Sequence, residues 1–306
     1  MTAQRLASDA AGRALDPRVL ASIADLELVA RVTVDGTISG LHRSPFHGYS
    51  AEFSQYRQYR PGDDLKYVDW KLFARTDRLY TKQYRETTNM VAQVALDTSR
   101  SMAYGGREGI PKIAYARLLA GAMAYLLSKQ GDPVGLLSFD DRIGTYLAAR
   151  SGASHLRALL LALVGLEATG TTSAPGPLRR AVDLMRRRGL LVLISDLYDE
   201  DERVEAELKR ASRIGHEVAI FHVLTREEIA FPFEGSVELE DLETRSTAMS
   251  GGATAATYRR EFAAFLARWR TRCASHGFTY TLVTTDQPLD VALRGYLLKR
   301  RAGAGR

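Results

Sequence analysis

The amino-acid sequence predicts an α/β protein built on a doubly wound, mostly parallel six-stranded sheet, with an aromatic-rich N-terminal extension packed on it. Two observations carry that expectation. Between Met90 and Thr284 the chain alternates short apolar runs with longer amphipathic ones. Uninterrupted apolar runs are what strands covered on both faces require. Two of these runs, "MVAQVALD" and "LLVLISD", end on aspartates, Asp97 and Asp196. That puts carboxylates at strand C-termini, where open parallel sheets collect their ligands.

Taken in order, Asp16-Pro17 reads as the cap and first position of a helix whose apolar face is Leu20, Ile23, Leu26 and Ala30, ending near Ala30. From Arg31 to Thr88 the texture changes. Nine aromatics fall between Tyr49 and Tyr84, and "RPGDD" marks a turn. Asp64 is expected to cap a short helix carrying Leu65, Val68, Leu72 and Phe73. The division expected is an extension over residues 1–88 and the α/β domain over residues 89–306.

Buried strands are expected near Met90–Leu96, Val134–Phe139, Leu190–Ser195, Glu217–Leu224 and Phe278–Thr284. Ile143–Arg150 follows the turn Asp140-Asp141-Arg142 and is expected to be an antiparallel edge. The helices between them are "PKIAYARLLAGAMAYLLSKQG", "HLRALLLALVGLE", "PLRRAVDLMRRRG", an acid-rich one beginning "DEDERVEAEL", "YRREFAAFLARWRTRCASHG" and the terminal "PLDVALRGYLLKRR". Thr225 to Gly252 is read as less regular.

Composition narrows the class. A hydrophobic share of 45% over 306 residues is enough for a sizeable core. A net charge of +6 is mild at this length and demands neither nucleic acid nor an anionic membrane. Cys273 is the single cysteine, which excludes a disulfide framework and a cysteine zinc site and fits a reducing compartment. The longest apolar stretch, Leu118–Leu127, is too short to span a bilayer, and the first residues lack the apolar region of a signal peptide. A cytoplasmic protein without a membrane span is expected.

"DTSRS" sets the oxygens of Asp97, Ser99 and Ser101 two residues apart after the first buried strand. The loop "GTTS" offers Thr171 or Thr172, and Asp196 offers a carboxylate from a third strand end. Taken alone, the first three would read as a polar turn capping its own backbone. Together the five make an all-oxygen set suited to magnesium or manganese. With hydroxyls binding directly and the aspartates acting through water, such a cation stays under-neutralised and attracts an outside carboxylate. Ser138 and Asp140, beside the hairpin, read as turn chemistry.

The Asp-x-Ser-x-Ser, Thr and Asp order resembles the metal-ion-dependent adhesion site of von Willebrand factor A domains. The upstream segment Gly40–Glu86 resembles the bacterial "domain of unknown function 58" family. It shares a Gly-x-His-x-Ser start at Gly40, Glu52-Phe53, the Arg-x-Tyr-x-Pro-Gly-Asp-Asp run from Arg57 to Asp64, Asp69-Trp70 and Ala74-Arg75. The resemblance implies a metal-dependent protein–protein interaction module rather than an enzyme. It also implies a MoxR-type AAA+ ATPase as partner, in assembling or remodelling a protein complex, and a partner protein presenting an acidic residue to the metal. Two departures stand out. Many members carry N-terminal hydrophobic helices that this chain lacks, and the loop "GTTSAPGPL" leaves Thr171 and Thr172 both open, with Thr171 preferred because it follows the glycine. No Gly-x-x-x-x-Gly-Lys-Ser/Thr element occurs, so ATP hydrolysis is not expected of this chain.

Two alternatives come from other classes. A phosphatase-like hydrolase would use Asp97 as nucleophile, but it needs a second aspartate where Ser99 stands. The Tyr49–Tyr84 block interleaves rings and arginines as single-stranded nucleic-acid sites do. Asp63, Asp64, Asp69 and Asp77 run through it and would repel phosphates, so they are read as partners of Arg57, Arg60 and Arg75. Phe53, Tyr59, Trp70 and Phe73 are the expected anchors of the block. His42 and His47 lack a third ligand, Arg186–Arg188 and Lys299–Arg301 suit helix ends, and Cys273 reads as packing.

Overall fold

The six expected strands form one sheet in the computed structural model, which describes residues 17–40, 50–60, 68–87, 90–107, 109–171, 173–198, 201–233, 237–240, 247–250 and 252–304. They are β3 (Val91–Asp97), β4 (Val134–Phe139), β5 (Ile143–Arg150), β6 (Gly189–Ser195), β7 (Glu217–Leu224) and β10 (Thr279–Thr284). Their order across the sheet is β10-β7-β6-β3-β4-β5, with every pair parallel except β4 with β5. β4 and β6 are buried along their whole length and β3 along nearly all of it, which is why they read as unbroken apolar runs. β5 alternates between half-buried and exposed positions, as an edge strand with one face in water does. Its pairing with β4 slips register twice, between Val134 and Leu136 and between Leu137 and Phe139.

Helices cover both faces. On one lie α1 (Pro17–Gly40), α3 (Lys112–Lys129), α4 (Ala153–Val164) and α9 (Leu289–Ala304), which bury Leu26, Leu119, Leu160 and Tyr296 against Val94, Val192 and Phe221. On the other lie α5 (Pro175–Leu184), α6 (Asp201–Arg213) and α8 (Gly252–His276), with Leu178, Leu208 and Trp269 against Ala95, Leu137 and Leu193. Cys273 belongs to this second layer, where burial pushes its thiol up to about 12, so it is inert packing as expected.

α1 runs well beyond Ala30, the end that its sequence predicts. Its buried face continues through Val34 and Thr37, with Thr37 Oγ1 donating to the Thr33 carbonyl one turn back. Val32, Thr33 and Val34 are poor helix formers, and the packing of α1 on α3 overrides that preference. Gly121 of α3 makes the contact close. A Cβ there would sit 3.1 Å from the nearest Leu26 methyl.

Within the extension, β1 (Ser50–Gln58) and β2 (Tyr80–Thr87) pair antiparallel and α2 (Trp70–Thr76) lies between them. Asp69 caps α2, its Oδ1 accepting from the Lys71 and Leu72 amides at 3.0 Å and its Oδ2 from the Tyr56 hydroxyl at 2.9 Å. The cap expected at Asp64 lies outside the described residues, as do Leu65, Asp63, His42 and His47. Of the expected anchors, Trp70 is 57% exposed and meets Phe73 edge-on, while Tyr59 and Phe73 are half-buried. The side chain of Phe53 lies outside the described residues. The stretch read as irregular holds α7 (Arg226–Ala230) and the short pair β8 (Val237–Glu240) and β9 (Thr247–Ser250). Elements of four or five residues carry too few positions for a periodicity to emerge. Among the described residues no helix is long and apolar enough to cross a membrane.

The α1–α3 contact should be energetically central. Leu26→Ala should lower unfolding stability by about 2–4 kcal/mol through the cavity left beside Gly121 and Leu160, measured by equilibrium urea denaturation.

Candidate metal centre at the strand ends

Asp97 ends β3 with its carboxylate out of water, held at both oxygens. Oδ1 accepts from the Ser99 amide at 2.9 Å and Oδ2 from the Ser195 hydroxyl at 2.6 Å. Burial, and then the neighbouring Asp196, push its carboxyl up to about 7 against the lowering effect of these hydrogen bonds. The chain then enters a short 3-10 turn, Arg100–Ala103, which folds Ser101 back so that its hydroxyl lies 3.0 Å from that of Ser99. Thr98 pins the loop to β4 through its amide and hydroxyl, both donating to the Phe139 carbonyl.

The threonine loop lies against this turn. Ser99 and Gly170 form a parallel bridge, the Arg100 amide donates to the Gly170 carbonyl at 2.7 Å, and the Thr169 amide donates to the Thr98 carbonyl. Thr171 follows directly and is exposed, while Thr172 lies outside the described residues. A glycine is required at 170 because any Cβ there would collide with the Asp140 side chain, Cβ and carboxylate alike. Asp140 itself accepts from the Arg142 amide, and Ser138 from the Thr145 amide, the turn chemistry expected of both.

Asp196 directly follows β6, the strand beside β3, so the two aspartates stand at neighbouring strand ends. It is fully buried, and both oxygens are occupied. Oδ1 accepts from the Tyr198 amide at 3.3 Å and Oδ2 from the Lys112 ammonium at 2.7 Å. Between them Leu197 takes a left-handed conformation (φ 57°), unusual for a leucine, with its amide donating to the Ser195 hydroxyl. Asp196 and the Tyr198 ring both meet the Lys112 ammonium.

Lys112 is the residue that sequence reasoning missed. It opens α3, has no exposed side-chain surface, and also donates to Glu228 Oε1 at 2.6 Å. Its ammonium lies 4.7 Å from the centre of the Tyr198 ring. Burial would lower the ammonium's pKa, but Asp196 and Glu228 outweigh burial and hold it above the usual lysine range. Glu228 is fixed in turn by a capping box at α7, with Oε2 accepting from the Thr225 amide and hydroxyl and Oε1 from the Tyr198 hydroxyl. Next to it, Glu227 accepts from the Tyr104 hydroxyl and the Arg107 amide, tying α7 to the loop after the serines. Two signals were present in the chain. A lone cation opens an apolar helix, at the end where the helix dipole disfavours it, and Thr-x-x-Glu at Thr225 has the form of a capping box.

The donors gathered at these strand ends are oxygens, the type that hard cations take. Asp97, Asp196 and Glu228 carry three negative charges when ionised and Lys112 one positive, which leaves two negative charges uncompensated in a largely buried cluster. His222, fully buried on β7 near Asp196, adds no charge, because burial lowers its imidazole to about 3. Among the described residues no three His, Cys, Asp or Glu side chains converge on one point. The oxygens that do converge are the Ser99 and Ser101 hydroxyls, which suit magnesium or manganese and not a soft metal.

Sheet and loops together define an α/β domain whose polar cluster sits at the carboxyl ends of its central strands. The chain belongs to the family described as "Protein of unknown function DUF58", which it matches over residues 55–272. It is 29% identical over 233 residues to an uncharacterized protein of Mycobacterium tuberculosis (Rv1480), covering 75% of this chain and 72% of that protein. An uncharacterized protein of Mycobacterium bovis (Mb1516) matches to the same extent. Among solved structures, an aerotolerance-related membrane protein from Bacteroides fragilis is similar at 16% identity and a TM-score of 0.48, over 71% of this chain and 100% of that one. The SpRpn10 VWA domain is similar at 11% identity and a TM-score of 0.41, over 67% and 94%. Scores of this size add nothing to the topology described above.

The packing of the threonine loop can be tested without any ligand. Gly170→Ala should destabilise by about 1–3 kcal/mol in urea denaturation. Combining it with Asp140→Gly should recover part of that loss, because the side chain it collides with, Cβ included, is gone.

Proposed function

We propose that this chain is a protein-interaction module whose docking point is a magnesium or manganese site formed by Asp97, Ser99, Ser101 and Thr171, with Asp196 acting through water. The observation that supports it most is the placement of Asp97, the paired serine hydroxyls and the Gly170-Thr171 backbone together, beside the buried Asp196. A bound divalent cation supplies an open coordination position that an acidic side chain of a partner protein completes. The chain's own residues do the rest. Ser99 and Ser101 offer neutral oxygens, so the cation's charge is not cancelled on its protein side. Asp97 anchors the serine loop through the Ser99 amide. Asp196 is held by Lys112 and the Tyr198 amide, which keeps it from direct ligation.

The partner is proposed to be a MoxR-type AAA+ ATPase, with the pair acting in assembly or remodelling of another protein complex. The support is family membership and the resemblance of Gly40–Glu86 to that family's upstream block. The proposal is of binding, not catalysis. The phosphatase-like alternative gains a buried lysine in Lys112, but that lysine is committed to two carboxylates, and Ser99 still stands where the second aspartate is needed.

Calorimetry with Mn2+ should show weak binding to the intact chain and none to Asp97→Asn or Ser99→Ala. The Asp97→Asn protein should melt roughly 2–5 °C higher than the metal-free parent, because a like-charged neighbour of Asp196 is removed. Capture of a purified MoxR-type ATPase should fall in EDTA and return with Mg2+. Capture unchanged by EDTA, with no Mn2+ binding at millimolar concentrations, would overturn the reading.

A further inference from the structure

We infer that Lys112 sets the strength of the strand-end cation site, acting as an internal cation that withholds Asp196 and Glu228 from any divalent ion bound beside Asp97. The inference rests on the cation site proposed above and adds to it a residue that no ligand motif contains.

Four observations converge on Lys112. It sits in the first turn of α3, where an ammonium opposes the helix dipole, so position alone disfavours it. Its side chain has no exposure, a placement that is costly for a charge unless well paired. It is paired twice, at 2.7 Å to Asp196 and 2.6 Å to Glu228, the side chains of which are 0% and 11% exposed. Finally, both acceptors are fixed by other donors. The Tyr198 amide holds Asp196, while Thr225 and the Tyr198 hydroxyl hold Glu228. Asp196 therefore cannot turn toward Asp97 without breaking the lysine contact.

The consequence is electrostatic. With Lys112 in place, two of the three carboxylates share one positive charge, and Asp97 is the acid left to face a divalent ion. Such a site is weak, and when loaded it retains positive charge to offer an outside carboxylate. Without the lysine, Asp196 becomes available and the local charge falls by one. Divalent affinity should then rise on the order of tenfold or more for one unit charge at short range in a poorly solvated site.

Isothermal calorimetry with Mn2+ alone, on the full chain, tests this with two substitutions of opposite sign. Lys112→Met should bind Mn2+ roughly tenfold or more tightly than the parent, and Mn2+ should raise its melting temperature further than the parent's. Glu228→Gln keeps the shape of the cluster and removes one negative charge, so it should bind Mn2+ several-fold more weakly. A purely structural lysine would change the melting temperature of the metal-free protein and leave Mn2+ affinity alone in Lys112→Met. Equal affinities in all three proteins would overturn the inference while leaving the cation site itself standing. Binding to Lys112→Met but not to the parent would support it and remove the proposed site from the native chain, Lys112 then standing in the cation's stead. Binding to none would overturn both. If Lys112→Met fails to fold, Lys112→Gln, which keeps a hydrogen-bond donor and removes the charge, decides the matter, an unchanged affinity counting against Lys112.

Discussion

Two carboxylates on adjacent strands, both withdrawn from water, form the constraint on which the rest of the strand-end architecture depends. Parallel pairing of β3 with β6 puts Asp97 and Asp196 side by side whatever the loops do. Their mutual repulsion must be met by donors and cations, and the loops are arranged to supply them. Ser99 and Ser195 serve Asp97, and Tyr198 and Lys112 serve Asp196. The strained Leu197 and the crowded Gly170 are local consequences, each bringing a polar group to its place against a steric cost. Removing a donor or the ammonium from such a network is far more damaging than its net contribution implies, because the carboxylates are left buried and unpaired.

The cluster also links parts of the chain that are distant in sequence. Lys112 opens the helix that packs on α1, Glu228 belongs to a five-residue helix after β7, and Glu227 beside it holds the loop following the serines. The serine loop, α7 and the head of α3 are therefore joined through direct hydrogen bonds. Tyr198 adds an apolar side to this junction, its ring lying 5.9 Å from that of Phe265 and 6.4 Å from that of Phe262.

Most of the sheet was legible in the sequence because burial on both faces leaves a one-dimensional trace. Each of β3, β4, β6 and β7 is an apolar run bounded by polar or turn residues, and β5 betrays its edge position by alternation. Asp97 and Asp196 were legible for the same reason, as charges that interrupt such runs at their ends. What escaped was set by tertiary contact. α1 extends through poor helix formers because α3 accepts them, and the cap of α2 is Asp69, one of several aspartates in "RPGDDLKYVD" that local propensity cannot rank. Lys112 escaped because its meaning comes from Glu228, 116 residues away, and no local pattern connects them.

The irregular pairing of β5 with β4 bears on how such a chain meets other proteins. Open sheets carry two flanks of free backbone groups, and each flank invites a foreign strand to add itself. Here the β5 flank is broken by two register slips that twist its backbone away from a regular ladder. On the opposite flank, the Lys299 ammonium of α9 donates to the Tyr280 carbonyl of β10 at 2.7 Å, taking up an acceptor that an added strand would need. Both lateral routes to sheet extension are thereby impeded. Filament-like growth through strand addition is disfavoured.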